Sequence, residues 1–477
     1  MGSFKRSLAL SVAQRNASLL IQFVSSLLIA RLLTPHEIGI FSIGAVIVSF
    51  SHIVRDVGVS NYVVQERELT TERLRSAQAI VWISSLSLAF LVAVFSVWAG
   101  WFYAEPGVEL TMQVLAINFL LLPIGVVTVA LLTREMAFGQ LFVVNIAAAL
   151  AQALTGVLLA WAGFGFISLA WSAVAGGIVS ALGSLICRRP EQPWLPGIRE
   201  WRRVFAAGSK LGSTSLLYEI GLAGPELIAG RALGFEAVAY FSRGLGVGTM
   251  VLRSLVDSMS SVAVSYFARQ SRSAQDLKAP YLRGVSYMSI LALPAFACLA
   301  TMAEPVILFL YGRQWLEAVM PLQIVSVGLT CLAVTNVAGA VLVGSGQLGT
   351  QLRMHAICQP LKILAVLVGV SFFGLAGVAA GVAIGDVSVS IYGLYMANRL
   401  LGVSLGEITR AVLPSAGVAL GAALLAAGTL RALVPGEPVV IQVALAGLAA
   451  GIGWLLGLIL TRHPMWDELR GLFRRTN

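Results

Sequence analysis

Apolar runs of about twenty residues recur from one end of this chain to the other. As a helix, such a run crosses the ~30 Å hydrocarbon core of a bilayer. Backbone polar groups find no water there, so only helices and closed barrels span it, and barrel strands are about half as long. The pattern predicts an all-α polytopic membrane protein. We place about fourteen spans, at residues 11–33, 37–54, 77–101, 110–132, 140–162, 166–187, 209–232, 239–263, 284–310, 319–343, 355–373, 375–397, 411–433 and 439–461. The first, seventh and eighth are the most polar. Composition points the same way: 58% of the 477 residues are hydrophobic and 11% charged, unlike a soluble domain of this size.

A net charge of +10 raises the question of nucleic acid, and its distribution argues against it. Basic residues gather in alternate connections: Arg67, Arg73 and Arg75; Arg188, Arg189, Arg199, Arg202 and Arg203; Arg269, Arg272, Lys278 and Arg283; then the C-terminal tail. The opposite connections hold few, among them Arg31, Arg231, Arg313 and Arg431. This is the positive-inside asymmetry, and it predicts that both termini are cytoplasmic.

The two halves resemble each other. Arg31 to Ser42 aligns without a gap on Arg231 to Ser242, at an offset of 200 residues, and both segments close one span and open the next. An even unit of six spans repeats in the same orientation, a common transporter plan. We therefore expect two pseudo-symmetric six-helix lobes, 1–190 and 209–400. A cytoplasmic linker at 191–208 carries an interfacial helix rich in Trp, Phe and Arg. Two additional helices and a basic tail occupy 401–477.

Within this apolar chain a few polar side chains stand out. Each charge at a span centre costs ~2.5–3.5 kcal/mol on insertion scales, so it is kept where it faces a wet cavity or a partner. Arg15, Ser18, Gln22 and Ser26 share one face of the first span. Ser215, Glu219 and Glu226 do so in the seventh, where Pro225 interrupts the helix. Arg243 and Arg253 lie in the eighth, with Asp257 four residues after Arg253. Lys362 and Asp386 sit in the eleventh and twelfth. One reading lines a cavity for an anionic cargo with these groups. The other is structural: Arg253 and Asp257 pair, while Arg15 and Lys362 snorkel to headgroups.

Other features carry less. Gly344 to Gly349 matches a dinucleotide fingerprint by letters, yet it joins two spans and lacks the strand that fingerprint needs, so we read it as a turn. Gly377, Gly381 and Gly385 recur every four residues, as helix-packing glycines do. His36, His52, His355 and His463 are scattered without metal-ligand spacing, and we expect no metal and no cofactor. No nucleophile–base constellation is visible, so we do not expect an enzyme. A polymerase or lipid-to-sugar transferase would need a long outer loop.

Three segments carry a family resemblance. Ala30-Arg31-Leu32-Leu33-Thr34-Pro35-His36-Glu37-Ile38-Gly39-Ile40 resembles the "ARLLxPxExG" opening of Wzx-type polysaccharide flippases. Arg55-Asp56-Val57-Gly58, followed by Val64-Gln65 and Glu68-Leu69-Thr70, is similar to their second-span exit. Gly312-Arg313-Gln314-Trp315 resembles their "G-x-x-W". The resemblance implies two six-helix lobes and alternating access within the MOP superfamily. The implied cargo is an undecaprenyl-pyrophosphate-linked oligosaccharide, carried across the bacterial cytoplasmic membrane for exopolysaccharide, capsule or O-antigen synthesis. It also implies a polysaccharide polymerase and chain-length regulator as partners. By position it implies basic binding residues at Arg15, Arg55, Arg243 and Arg253, with Gln22 alongside. Asp56, Glu219, Glu226, Asp257 and Asp386 are candidates for ion coupling. A cation-coupled drug or small-molecule antiporter of the same superfamily is the alternative, with those carboxylates as its proton or sodium sites.

Overall fold

The computed structural model describes residues 2–56, 59–66, 68–190, 192–193, 195–272, 277–433 and 437–466, and every regular element among them is a helix. The side chains of Arg15, Arg55, Asp56 and Asp257 lie outside the described residues, as do Val57, Gly58 and Arg67. The helices are α1 (Gly2–Leu32), α2 (Pro35–Asp56), α3 (Val59–Gln65), α4 (Thr71–Tyr103), α5 (Pro106–Arg134), α6 (Phe138–Trp161), α7 (Ile167–Ile186), α8 (Trp201–Leu233), α9 (Phe235–Arg272), α10 (Lys278–Thr301), α11 (Ala303–Leu310), α12 (Val319–Gly344), α13 (Leu348–Leu401), α14 (Leu405–Ala432) and α15 (Val439–Leu460). A short 3-10 turn, Arg313–Ala318, precedes α12. Among the described residues, nine helices are long and apolar enough to cross a bilayer, and two shorter apolar stretches lie at Asn16–Leu32 and Pro35–Ser49. The ninth expected span is broken at Met302. Pro305 has no N–H to give and is tolerated in a first helical turn, which is where the restart at Ala303 puts it.

The chain forms two compact units, Met1–Ala239 and Tyr240–Asn477. In the first, α5 touches α2, α3, α4, α6 and α7, and α1 lies along α6. α8 packs on α2 and α4 in this same unit. The stretch rich in Trp and Arg before it runs straight into α8, which continues unbroken from Trp201 to Leu233.

The turn between α1 and α2 is a capping box. Thr34 Oγ1 accepts from the Glu37 backbone N–H at 3.3 Å, and Glu37 Oε2 accepts from the Thr34 N–H at 2.8 Å. Pro35 takes the first helical position, where its missing N–H costs nothing. The repeat places the next such junction at the same register: α2 begins at residue 35 and α9 at residue 235. The two junctions meet, with the His36 ring edge-on to Phe235 at 5.6 Å and Gly39 against the Phe235 backbone.

Several basic residues of the alternate connections are spent as a clasp. Arg73 donates to Glu66 and Glu200 carboxylates at 3.4 Å and to the Glu68 carbonyl. Arg134 donates to the carbonyls of Val63 and Glu66, at 2.9 and 2.5 Å. Arg188 donates to the Pro193 carbonyl at 2.5 Å, and Gln192 Oε1 accepts from Thr128 at 3.0 Å. These contacts tie the 188–200 connection to the ends of α4 and α5.

In the second unit α13 is a hairpin. Gly374 (φ 56°, ψ −130°) breaks it into two arms, matching the expected eleventh and twelfth spans. Gly369 faces Gly377, Val366 faces Gly381 and Lys362 faces Gly385, an antiparallel register set by glycines four apart. The Gly344–Gly349 segment is a turn between α12 and α13, with Gly346 at φ 75°. α14 and α15 dock on α10 through polar contacts: Ser289 with Ser415 at 2.8 Å, and Trp454 Nε1 to the Ile290 carbonyl at 2.9 Å.

Gly39→Ala would set a Cβ 2.0 Å from the Phe235 carbonyl oxygen, so the two junctions must part. We expect it to cost ~1–3 kcal/mol and to lower the melting temperature of the detergent-purified protein. Gly246→Ala, on an exposed stretch of α9 with nothing within 4 Å, should leave that temperature unchanged or slightly raised.

Candidate substrate cavity

The polar stripe on α1 opens onto a cavity of about 790 Å³ inside the first unit. Gln14, Ser18 and Gln22, spaced four apart, supply one wall. α6 supplies Asn145 and Gln152, seven residues apart and therefore on one helix face. α7 supplies Ser180, and Ser60 of α3 joins them. Glycines in the remaining walls let neighbouring helices pack closely. A Cβ on Gly125 would meet Ser184 Oγ at 2.7 Å, and one on Gly177 would meet Asn118 Oδ1 at 2.3 Å. None of the described lining residues is charged. Ser26, the fourth member of the expected stripe, instead donates to the Phe23 carbonyl at 2.9 Å.

The structure brings Gln22 into this cavity together with Asn145 and Gln152, which the sequence reading passed over. Their signal was present, as two amides seven apart in the otherwise apolar span 140–162. What the sequence did not disclose is that this face lies along α1.

On α8, Glu219 and Glu226 are half-buried and lie seven residues apart. Tyr103 Oη donates to the Leu227 carbonyl at 3.1 Å and ties this stretch to α4. Gly230 lets Ile43 and Tyr103 approach.

In the second unit, the guanidinium of Arg243 lies 5.5 Å from the ring centroids of both Tyr311 and Trp315. Both distances are within cation–π reach. Trp315 is fully buried and is the tryptophan of the "G-x-x-W" segment, so that motif provides a seat for the α9 arginine. Gly244 and Gly248 let α9 approach α12 at Leu322 and Leu329. Arg253, ten residues on, is exposed.

Lys362 neither snorkels nor lines a cavity. Its Nζ donates to Asp386 Oδ1 at 2.5 Å, and the residues are 7% and 5% exposed. Gly385 makes this possible, because a Cβ there would lie 2.4 Å from that of Lys362. The two charges neutralise each other across the α13 hairpin, which gives Asp386 a structural partner. Breaking a buried pair costs ~3–5 kcal/mol, whereas replacing both members with apolar groups is often neutral.

A family model described as "Polysaccharide biosynthesis protein" matches residues 28–320. The chain is 22% identical over 477 aligned residues to the lipopolysaccharide biosynthesis protein WzxC of Escherichia coli (strain K12), covering 95% of this chain and 93% of that one. It is 25% identical over 327 residues to the succinoglycan biosynthesis transport protein ExoT of Rhizobium meliloti (strain 1021), covering 66% and 63%. Among solved structures, the lipid II flippase MurJ in an inward closed conformation shares the fold, with TM-score 0.79 and 13% identity over 95% of this chain and 99% of that one. An inward-facing MATE multidrug resistance transporter of the MOP superfamily has TM-score 0.66 and 16% identity over 81% and 94%.

Asp386→Asn should lower the yield and melting temperature of the purified protein by leaving the Lys362 charge buried. The double variant Lys362→Met/Asp386→Leu should recover most of that loss. Equal instability of the single and double variants would show that the pair is not what holds the hairpin.

Proposed function

Since the chain belongs to the polysaccharide biosynthesis protein family, we propose that it flips lipid-linked oligosaccharide repeat units across the bacterial cytoplasmic membrane by alternating access. The cargo is an undecaprenyl-pyrophosphate-linked oligosaccharide destined for exopolysaccharide, capsule or O-antigen. A polymerase and a chain-length regulator receive it on the outer side. Both termini are cytoplasmic, as the basic connections imply. The chain moves its cargo without making or breaking a covalent bond in it.

The observation that carries this reading is a polar cavity within apolar, membrane-length helices in a chain of this family. A lipid-linked sugar has three parts with different solvent needs. Its polyprenyl tail can stay in the bilayer, its hydroxyls need hydrogen-bonding walls, and its pyrophosphate needs cations. Arg15, Arg55 and Arg253 are the proposed phosphate-binding groups. Guanidinium pairs with phosphate oxygens in bidentate fashion, and such charge-assisted bonds are roughly twice as strong as neutral ones. Arg243, held by Tyr311 and Trp315, contributes its charge from a fixed position. For ion coupling, Glu219 and Glu226 are favoured over Asp386, which Lys362 already neutralises, and Asp56 and Asp257 remain candidates.

Removing one charge-assisted contact costs ~1.5–3 kcal/mol, roughly ten- to hundredfold in cargo affinity. Arg253→Ala at normal expression should therefore reduce polymer export and cause lipid-linked sugar to accumulate on the cytoplasmic leaflet, with Arg253→Lys intermediate. Full export by both Arg253→Ala and Arg15→Ala would count against the assignment. So would transport of cationic drugs, but not lipid-linked sugar, by the reconstituted protein.

A further inference from the structure

The first unit carries an edge, at residues 195–202, that is both apolar and basic. Residues 195–200 form no helix, yet their backbone is fixed. The Gly197 N–H donates to the Arg75 carbonyl at 3.0 Å, and the Glu200 N–H donates to Ser76 Oγ at 3.0 Å. The Glu200 carboxylate turns inward and accepts from Arg73. Just beyond, Val204 is fully buried in a cluster with Val63, Leu74 and Leu131. On this fixed backbone the large side chains stay outside: Leu195 is 73%, Ile198 69% and Trp201 44% exposed. A held backbone that shows three large apolar groups together marks an interaction surface.

Charge and position say what covers it. Arg75 and Arg199 both approach one carboxylate oxygen of Glu72, at 3.8 and 3.9 Å, and the Arg202 guanidinium lies 5.8 Å from the Trp201 ring centroid. Among the described residues this edge therefore sets three guanidinia against one carboxylate. Leu182 and Ile186 are exposed at the end of α7, a helix of membrane-spanning length. Arg188, two residues on, donates to the carbonyl of Pro193, two residues before Leu195. The apolar surface of α7 thus leads into Leu195 and Ile198 where the span ends. Trp, Arg and aliphatic side chains at a span end are suited to the headgroup boundary of a bilayer, more than to a water-borne protein.

We propose that residues 195–202 form a binding site for anionic phospholipid, in the leaflet that the basic connections mark as cytoplasmic. Leu195, Ile198 and Trp201 enter the acyl boundary, and Arg199 and Arg202, with Arg75, take the headgroup phosphate. A zwitterionic lipid brings the same phosphate together with its own ammonium, so the excess of guanidinium favours phosphatidylglycerol over phosphatidylcholine. None of these residues lines the cavity, and the site holds whatever the chain transports.

The test places the full chain in phosphatidylcholine nanodiscs and adds phosphatidylglycerol or phosphatidylcholine brominated near the headgroup end of the acyl chains. Bromine quenches tryptophan on contact. The chain has ten tryptophans, so the signal of Trp201 is the difference between the wild type and Trp201→Phe. Brominated phosphatidylglycerol should half-quench Trp201 at a mole fraction roughly fivefold or more below that of brominated phosphatidylcholine. Arg199→Gln/Arg202→Gln should bring that ratio close to one while both lipids still quench. Arg199→Lys/Arg202→Lys, which keeps the charge, should restore most of it. Leu195→Ser/Ile198→Ser should weaken quenching by both lipids. All substituted side chains are exposed, so the variants should elute and melt as the wild type does. Absence of Trp201 quenching by either lipid would overturn the proposal and give this surface to water or a soluble partner. Equal quenching by the two lipids, unchanged in Arg199→Gln/Arg202→Gln, would overturn it too, leaving immersion without recognition.

Discussion

In hydrocarbon there is little to gain from burying one apolar helix against another, because lipid tails are as apolar as leucine. Association depends on close approach and on the few polar bonds that find partners. Glycine supplies the approach throughout this protein. Gly369 and Gly377 let the arms of α13 touch backbone to backbone, Gly244 and Gly248 seat α9 on α12, and Gly39 joins two helix junctions. At each of these places a single Cβ would sit closer than 3 Å to a neighbour. The polar bonds are equally local: Lys362 to Asp386, Ser289 to Ser415, Trp454 to the Ile290 carbonyl.

The glycines beside the cavity do the same: a Cβ on Gly125, Gly176 or Gly177 would meet Ser184, Gln152 or Asn118 on a neighbouring helix. The arginines divide by partner. Arg73, Arg134 and Arg188 are committed to carboxylates and carbonyls in the clasp around residues 188–200. Arg243 keeps its charge but is held in place by aromatic rings, and Arg253 is exposed. A count of basic residues therefore overstates the charge available to a cargo.

The family-like segments acquire physical content in the same terms. Thr34-Pro35-His36-Glu37 is a capping box with proline at the first helical position, so it specifies where α2 begins. Trp315 forms the floor under Arg243. These motifs are legible as letters, but their work is to start a helix and to seat a cation.

The sequence alone was enough for the helical fold and the approximate spans. These follow from run length and from the demand that every backbone group in lipid bond internally, both of which are properties of a chain read in order. It also marked Gln22 and the glycines at 377, 381 and 385. The tertiary structure alone decided the partners. Lys362 and Asp386 are 24 residues apart, and nothing local says that a hairpin at Gly374 will bring them together. Asn145 and Gln152 read as incidental amides until α6 is laid against α1. Whether a polar group in a membrane helix is spent or waiting is a property of what packs beside it, and that is settled by contacts between residues distant in the chain.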